Sequence, residues 1–150
     1  MATTTDTNTT FRFLDGYASI LIGKATGGVS VIELVMPEGA ESPAHIHDED
    51  ETVVVLEGDV TFRVAGEPVQ PDTHGTIALP RGVAHSYRVD SEDARWLSVT
   101  AGRYEEFVRE VARPLDAPAR ESLDLREAVA VTVAAARAGI EIVGPAPAAA

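Results

Sequence analysis

Cysteine is absent from the 150 residues of this chain, and lysine occurs only once, at position 24. Without cysteine there is no disulfide bond, thiolate metal ligand or thiol nucleophile, so a metal ion would have to be bound by imidazole and carboxylate groups. Long hydrophobic runs are also missing, since no segment approaches the roughly 20 apolar residues that span a bilayer. The Thr-rich start lacks the basic and apolar segments of a signal peptide. We therefore expect a cytoplasmic protein whose residues 1–10 form a disordered leader.

Positive charge is scarce as well. The chain has 12 Lys and Arg residues against 24 Asp and Glu residues, which gives a formal net charge of −12. Such an excess of carboxylates opposes the neutralisation of phosphates on which nucleic-acid binding relies. It also provides no attraction to anionic membranes. We expect a small-molecule partner, with no nucleic acid and no membrane among the partners.

Short apolar segments separated by turns rich in Gly, Pro and Asp occupy the first two thirds of the chain. The segments are Tyr17–Ile22, Val29–Met36, Thr52–Leu56, Val60–Ala65, Thr76–Leu79, His85–Val89 and Trp96–Thr100. Many short Val-rich segments at regular spacing are typical of an all-β sandwich or barrel. The pattern predicts a barrel over about residues 11–102.

The pattern changes to helical spacing after residue 102. A first amphipathic helix is indicated by Tyr104, Phe107, Val108 and Val111. The side chains of Tyr104 and Phe107 are expected to fasten this helix to the barrel.

A second helix is predicted to begin at the N-cap Asp124, with Glu127 three residues later as in a capping box, and to end at Gly139. Its apolar face is expected to contain Leu125, Val129, Val133 and Ala136. The helical segment is thus about 103–139, within one domain at 11–144. A short extended segment is possible at 140–143, and 145–150 is expected to be a disordered tail.

Two histidines and a glutamate stand close together in the middle of the chain. On a strand, residues two apart project from the same face, so His45 and His47 point the same way. Glu51 is harder to include, because six residues of straight strand span roughly 20 Å. The three side chains share an ion only if the chain turns back across Asp48–Asp50, whose acidic side chains are themselves expected to be solvated.

A third histidine completes the candidate site. Pro80 and Gly82 predict a turn, and His85 opens the strand that follows. Three imidazoles and one carboxylate would suit one divalent transition-metal ion, with positions open for substrate or oxygen. The donor set accepts Fe, Mn, Ni, Co, Cu or Zn and does not choose among them.

Both stretches resemble the motifs of the cupin family. The first motif is Gly39, five residues, His45-x-His47, three residues, Glu51, six residues and Gly58; the second is Pro80-x-Gly82-x-x-His85. Two positions depart from the second motif, because His74 stands where Gly is usual and Val89 where Asn is usual. Neither position is a metal ligand in the family.

The resemblance extends over most of the chain to the quercetin-dioxygenase-like group of single-domain cupins. It is carried by residues 28–102, by the segment after Arg103 and by the ending 138–145. The resemblance implies a double-stranded β-helix barrel, here with two short C-terminal helices, one metal ion and often a homodimer. The group includes flavonol dioxygenases and polyketide-tailoring proteins, so the fold and the metal site transfer better than the reaction.

Several other side chains are candidates for the substrate pocket. Phe62, Tyr87 and Trp96 could line it, although inward aromatic residues of a small barrel are often plain core. Glu33 is either a proton-handling group in the barrel or an edge residue. His74 is read as a loop residue near a strand start.

Three functions are compatible with these residues. The first is a metal-dependent dioxygenase that acts with O₂ on a phenolic, flavonol-like or enol-type substrate, in which Glu51 is a ligand and, when displaced, a general base. The second is a metal-dependent cyclase or isomerase of natural-product biosynthesis that needs no oxygen. The third is a non-enzymatic cupin that binds a small molecule.

Overall fold

The structure is a computed structural model that describes residues 9–118 and 123–145. The strands are β1 Thr9–Phe13, β2 Gly16–Ile22, β3 Ser30–Pro37, β4 His45–His47, β5 Glu51–Glu57, β6 Val60–Val64, β7 Glu67–Val69, β8 Thr76–Leu79, β9 His85–Val89, β10 Asp93–Thr100 and β11 Ile140–Ile142. The helices are α1 Lys24–Gly27, α2 Tyr104–Val111 and α3 Leu125–Arg137.

Two antiparallel sheets face each other around the core. One has the strand order β1-β2-β3-β10-β5-β8, and the other has the order β11-β4-β9-β6-β7. Successive strands β4, β5 and β6 belong to alternate sheets, so the chain crosses the barrel repeatedly. This arrangement confirms the predicted double-stranded β-helix with two C-terminal helices.

Every apolar segment predicted as a strand is one in the structure. The sequence pattern missed the helical turn α1 and the edge strand β7, whose Pro68 indicated a turn. An edge strand tolerates proline because one side of its backbone has no partner. Strand β1 begins at Thr9, within the predicted leader, and β11 extends the barrel beyond its expected end at 102. The rest of the predicted leader and tail, 1–8 and 146–150, lies outside the described residues.

The core forms where inward-facing positions of the two sheets meet. Along β3, Ile32, Leu34 and Met36 are at most 2% exposed while the residues between them are half-buried. This period of two is the pattern expected of a strand with one face on the core. Full burial of one such side chain stabilises the fold by about 1.5–3 kcal/mol.

The last glycine of the first motif is required by its backbone. Gly58 joins β5 to β6 with φ of +80°, a conformation that residues with a Cβ rarely adopt. A Cβ there would also clash with the Asp93 carbonyl oxygen. The motif glycine is therefore a structural part of the turn and not of the chemistry.

Helix α3 has the predicted N-terminus but the opposite buried face. Asp124 and Glu127 form the capping box as expected. The residues packed inward are Ala134, Ala135 and Ala138, whereas the expected apolar face is exposed, with Leu125 at 83%, Val129 at 56% and Val133 at 43%. The prediction of this face was wrong because small alanines allow the helix to approach the barrel closely. None of the helices in the described segments is long and apolar enough to cross a membrane.

Candidate metal centre

Three histidines converge at one end of the barrel. His45 lies on β4 directly opposite His85 on β9, and His47 follows two residues along β4 on the same face. One ring nitrogen of each lies within 4.8 Å of those of the other two. The ring centroid of His85 is 4.3 Å from that of His45 and 4.5 Å from that of His47. The three imidazoles are therefore placed to bind one transition-metal ion.

Each imidazole is fixed by a hydrogen bond to the backbone two residues away. The Nδ1–H groups donate to the carbonyl oxygens of Pro43, Glu49 and Val83, at 2.9 Å for His45, 2.7 Å for His47 and 3.0 Å for His85. Because a carbonyl only accepts, Nδ1 of each ring carries a proton. This leaves Nε2 of His45 and His85 with a lone pair, whereas Nε2 of His47 donates to Glu51 while that ring is protonated. Such bonds orient metal-binding histidines and fix their tautomer.

The remaining nitrogens suit a metal ion. His85 is buried, and its Nε2 has no hydrogen-bond partner within the described segments. A buried polar atom without a partner is costly, and a metal ion would satisfy it. Burial lowers the pKa of His45, and it lowers the pKa of His85 to about 4, so both rings are neutral near pH 7 as metal binding requires.

Glu51 reaches the histidines because the chain reverses across Asp48–Asp50, as the sequence spacing predicted. Residues 48–50 connect β4 in one sheet to β5 in the other, and Glu51 is the first residue of β5. Its Oε2 lies 3.0 Å from Nε2 of His47 and 3.9 Å from Nε2 of His85. The predicted reversal is confirmed, and the carboxylate lies beside the three imidazoles. These four side chains are called the histidine wall below.

The charge of Glu51 is held by hydrogen bonds. Burial alone would raise its pKa, but donors from His47 and Ser98 outweigh burial and hold the pKa below its ordinary value. Burial alone would lower the pKa of His47, but the hydrogen bond and charge of Glu51 raise it. The carboxylate is therefore ionised at neutral pH and complements a cation.

Ser98 is a supporting residue that the sequence analysis missed. It is fully buried on β10, and its hydroxyl donates to Oε1 of Glu51 at 2.8 Å. The available signal was its register, because Ala94, Trp96 and Ser98 share the inward face of β10. A serine among inward-facing apolar positions indicates a buried polar partner.

Aromatic side chains line the same cavity and are called the aromatic wall below: Phe62, Tyr87, Trp96, Tyr104 and Phe107. Trp96 lies between its neighbours, with its ring centroid 6.2 Å from that of Phe62 and 5.1 Å from that of Tyr87. Both contacts are edge-to-face, as aromatic pairs prefer. The three predicted pocket residues all line the cavity, and α2 adds two more.

Two candidate residues lie elsewhere. Glu33 is on the outer face of β3, because Ile32 and Leu34 take the inward positions, and it is not among the described residues that line the cavity. His74 is exposed in the loop before β8 and lies outside the cavity. Its φ is +64°, which explains why the family has glycine at this position.

Glu49 corrects a further expectation. It was expected to be solvated, but it is only 6% exposed. Its Oε1 accepts a hydrogen bond from the backbone N–H of Tyr104 at 3.1 Å, and burial raises its pKa. The loop between the metal-binding strands therefore also holds the start of α2.

The comparisons with known proteins agree with this geometry. Residues 32–100 match the family model described as "Cupin domain". The chain is 29% identical over 92 residues to quercetin 2,3-dioxygenase from Bacillus subtilis, a match that covers 60% of this chain. The matched region spans only 27% of the length of that relative.

Solved structures share the fold at low identity. The polyketide cyclase RemF from Streptomyces resistomycificus has a TM-score of 0.54 and 21% identity, covering 67% of this chain and 77% of that chain. A predicted oxalate decarboxylase from Thermotoga maritima has a TM-score of 0.57 and 20% identity, covering 67% of this chain and 97% of that chain. Similarity at this level shows the fold alone.

Proposed function

We propose that this chain is a metal-dependent cupin dioxygenase acting on a phenolic, flavonol-like or enol-type small molecule. The observation that carries the proposal is the composition of the cavity. Its histidine wall supplies ligands for a metal ion, and its aromatic wall supplies an apolar surface for a ring system. The matched quercetin 2,3-dioxygenase supports the same substrate class.

The metal would be held by Nε2 of His45, His47 and His85, with Glu51 as the fourth ligand. A divalent transition-metal ion bound there would act as a Lewis acid toward a substrate oxygen and bring it together with O₂. The three backbone-anchored rings already hold one nitrogen each within 4.8 Å of the others, so metal binding would require loss of the Nε2 proton of His47 but little movement of the rings.

When displaced from the metal, Glu51 would be the proton acceptor for the substrate hydroxyl. It is ionised, and its Oε1 is held by Ser98, which leaves Oε2 as the oxygen nearest the imidazoles. A carboxylate in hydrogen-bond reach of a phenol or enol O–H can take its proton as a general base. Ser98 fixes the direction of that carboxylate.

The charges of the cavity favour a neutral substrate. Among the described residues that line it, Glu51 is the one with a formal charge, and none is Lys or Arg. A substrate with several carboxylates would find no cationic side chain there, and its one cationic partner would be the metal ion, which Glu51 already partly neutralises. A phenolic or enolic ring system instead matches aromatic side chains with a few polar groups.

The proposal is tested by oxygen uptake. Metal-free protein is supplied separately with Fe(II), Mn(II), Ni(II) or Co(II), and oxygen is followed after adding a flavonol such as quercetin. We expect uptake with at least one metal and none with Glu51→Gln carrying the same metal. No uptake with any metal would remove flavonols as substrates.

A metal-dependent cyclase or isomerase would use the same side chains, with Glu51 moving a proton and no O₂ consumed. The same incubation under strict anaerobiosis separates the two reactions. Loss of turnover without oxygen supports the dioxygenase, whereas anaerobic conversion of a polyketide-like substrate supports the cyclase. Return of the small molecule unchanged under both conditions would instead indicate a binding protein.

A further inference from the structure

Tyr104 enters the metal cavity from outside the barrel. It is the first residue of α2, a helix that belongs to neither sheet, yet its side chain lines the cavity that also contains Glu51 and His85. The ring packs against Phe107, with centroids 6.2 Å apart, and Phe107 packs edge-on against Phe13 of β1. Tyr104 therefore does more than fasten the helix, which was its expected role.

Glu49 holds Tyr104 in place beside the histidine wall. The Glu49 carboxylate accepts the Tyr104 N–H, and the Glu49 carbonyl accepts the Nδ1–H of His47. Gly102 makes room for this carboxylate, because any Cβ there would clash with it. One residue thus connects a metal-binding imidazole to the start of α2, which fixes Tyr104 relative to the metal centre.

Among the described residues the hydroxyl of Tyr104 makes no hydrogen bond, and neither does that of Tyr87, although both half-buried side chains line the cavity. Burial and the carboxylates of Glu51 and Glu49 raise the pKa of Tyr104 well above its ordinary value, so the hydroxyl keeps its proton. A half-buried tyrosine O–H that lines a largely apolar cavity and has no partner among the described residues is free to bind a ligand oxygen there.

We propose that Tyr104 is a substrate-binding residue whose hydroxyl donates a hydrogen bond to a neutral oxygen, a carbonyl or a phenol, on the aromatic ligand of this cavity. The inference deepens the proposed function and rests on it for the identity of the ligand class. Tyr87, with the same free hydroxyl on the same wall, would provide a second donor. The cavity would thereby favour substrates that carry a second acceptor oxygen, in addition to the oxygen that binds the metal.

The test uses metal-loaded protein and a matched pair of probes, acetophenone and ethylbenzene, which differ in one carbonyl oxygen. Their dissociation constants are measured by ligand-detected NMR for wild type, Tyr104→Phe and the control Tyr17→Phe. Tyr17 is the remaining tyrosine of the chain, and its ring lies outside the cavity against the Arg12 guanidinium. Loss of one hydrogen bond should weaken acetophenone binding about 3- to 10-fold in Tyr104→Phe and leave ethylbenzene unchanged.

Each outcome decides the proposal. Loss of the preference for acetophenone in Tyr104→Phe alone supports it, because a damaged fold would weaken both probes together. Equal binding of the two probes by wild type, equal losses for both in Tyr104→Phe, or no binding of either would overturn it. The dioxygenase reaction is tested separately. If Tyr104→Phe loses the preference for acetophenone but no flavonol causes oxygen uptake, the dioxygenase proposal is rejected and the binding role of Tyr104 is retained. Oxygen uptake with an unchanged KM in Tyr104→Phe would remove Tyr104 and keep the reaction.

Discussion

On the histidine wall every imidazole is anchored to the backbone of its own strand or turn, whereas on the aromatic wall two tyrosine hydroxyls have no partner among the described residues. The first arrangement holds polar atoms in one geometry before anything binds. The second is shaped by packing of rings and leaves donors for a ligand. The difference indicates that the metal site is preorganised by hydrogen bonds and the substrate site by shape.

Removal of a ligand should produce the largest effect on the histidine wall. In His85→Ala, two imidazoles and a carboxylate remain, and we expect bound metal to fall to background. The affinity should drop by more than the roughly 10- to 100-fold that loss of a supporting hydrogen bond costs. Elemental analysis of the purified variants measures this, with His74→Ala as the matched control because His74 is exposed outside the cavity. Unchanged metal content in His85→Ala would contradict the four-ligand site.

The aromatic wall should respond in stability instead. Trp96 is 1% exposed and packs against Phe62 and Tyr87. Truncation in Trp96→Ala should lower the free energy of unfolding by about 3–5 kcal/mol. Urea unfolding measures this loss, and elemental analysis of the folded variant should still find metal. If folded Trp96→Ala lost its metal while its stability stayed unchanged, the aromatic wall would be needed for metal binding and not for stability, contrary to this prediction.

A smaller effect on metal affinity is expected when a hydrogen bond that supports a ligand is removed and the ligand itself is kept. Ser98 and Ser30 are both fully buried serines, but only the Ser98 hydroxyl donates to Glu51, while that of Ser30 has no partner within the described segments. Ser98→Ala should weaken metal binding about 10- to 100-fold, since supporting hydrogen bonds tune ligand orientation. Ser30→Ala should leave it unchanged. Metal titrations of both variants compare them, and equal affinities would show that Ser98 does not orient Glu51.

The histidine wall could be predicted from the sequence further than the aromatic wall. Period-two geometry placed His45 and His47 on one face, and bond lengths forced the reversal before Glu51, because local rules govern residues close in sequence. Tyr104 and Ser98 carry no comparable signal. Their partners are 55 and 47 residues away in sequence, at Glu49 and Glu51. Contacts of that range depend on how the sheets and helices pack.

The helix α3 shows the same limit in another form. Its N-cap at Asp124 was predictable because capping is local. Its buried face was not, since Val129 and Val133 are the more hydrophobic choice while the alanines make the closer contact. Hydrophobicity alone does not reveal which face a neighbouring element can approach.

Asp90, which lies outside the cavity, should make the stability of the barrel depend on pH without affecting metal binding. Asp90 follows β9 at the end away from His85; burial would raise its pKa, but hydrogen bonds from Thr61 and Arg88 outweigh burial and lower it. The folded state therefore keeps Asp90 ionised to a lower pH than the unfolded chain does. Its contribution is present above the ordinary carboxyl pKa and is lost as pH falls through the lowered value.

Asp90→Asn should thus cost about 0.2–1 kcal/mol at pH 7, in line with exposed ion pairs, and less at pH 2. Urea unfolding at the two pH values measures both differences. Metal affinity at pH 7 should equal that of wild type, because Asp90 lies outside the cavity. A stability difference that grows on acidification would give the wrong sign for a lowered pKa.

The smallest effect is expected at the one histidine that belongs to neither wall. His74 has a φ of +64°, and its backbone N–H donates to the Val55 carbonyl oxygen at 2.6 Å, so the loop holds it in a left-handed conformation. That conformation costs an L-residue about 1–2 kcal/mol, while glycine adopts it freely but loses about 0.5–1 kcal/mol more in chain entropy on folding. His74→Gly should therefore stabilise the protein by up to about 1.5 kcal/mol in urea unfolding with metal content unchanged. Thr73→Gly, in the same exposed loop without a positive φ, should instead destabilise, because it adds the entropy cost and relieves no strain. Equal responses of the two variants would show that His74 is not strained and that its departure from the motif has no structural cost.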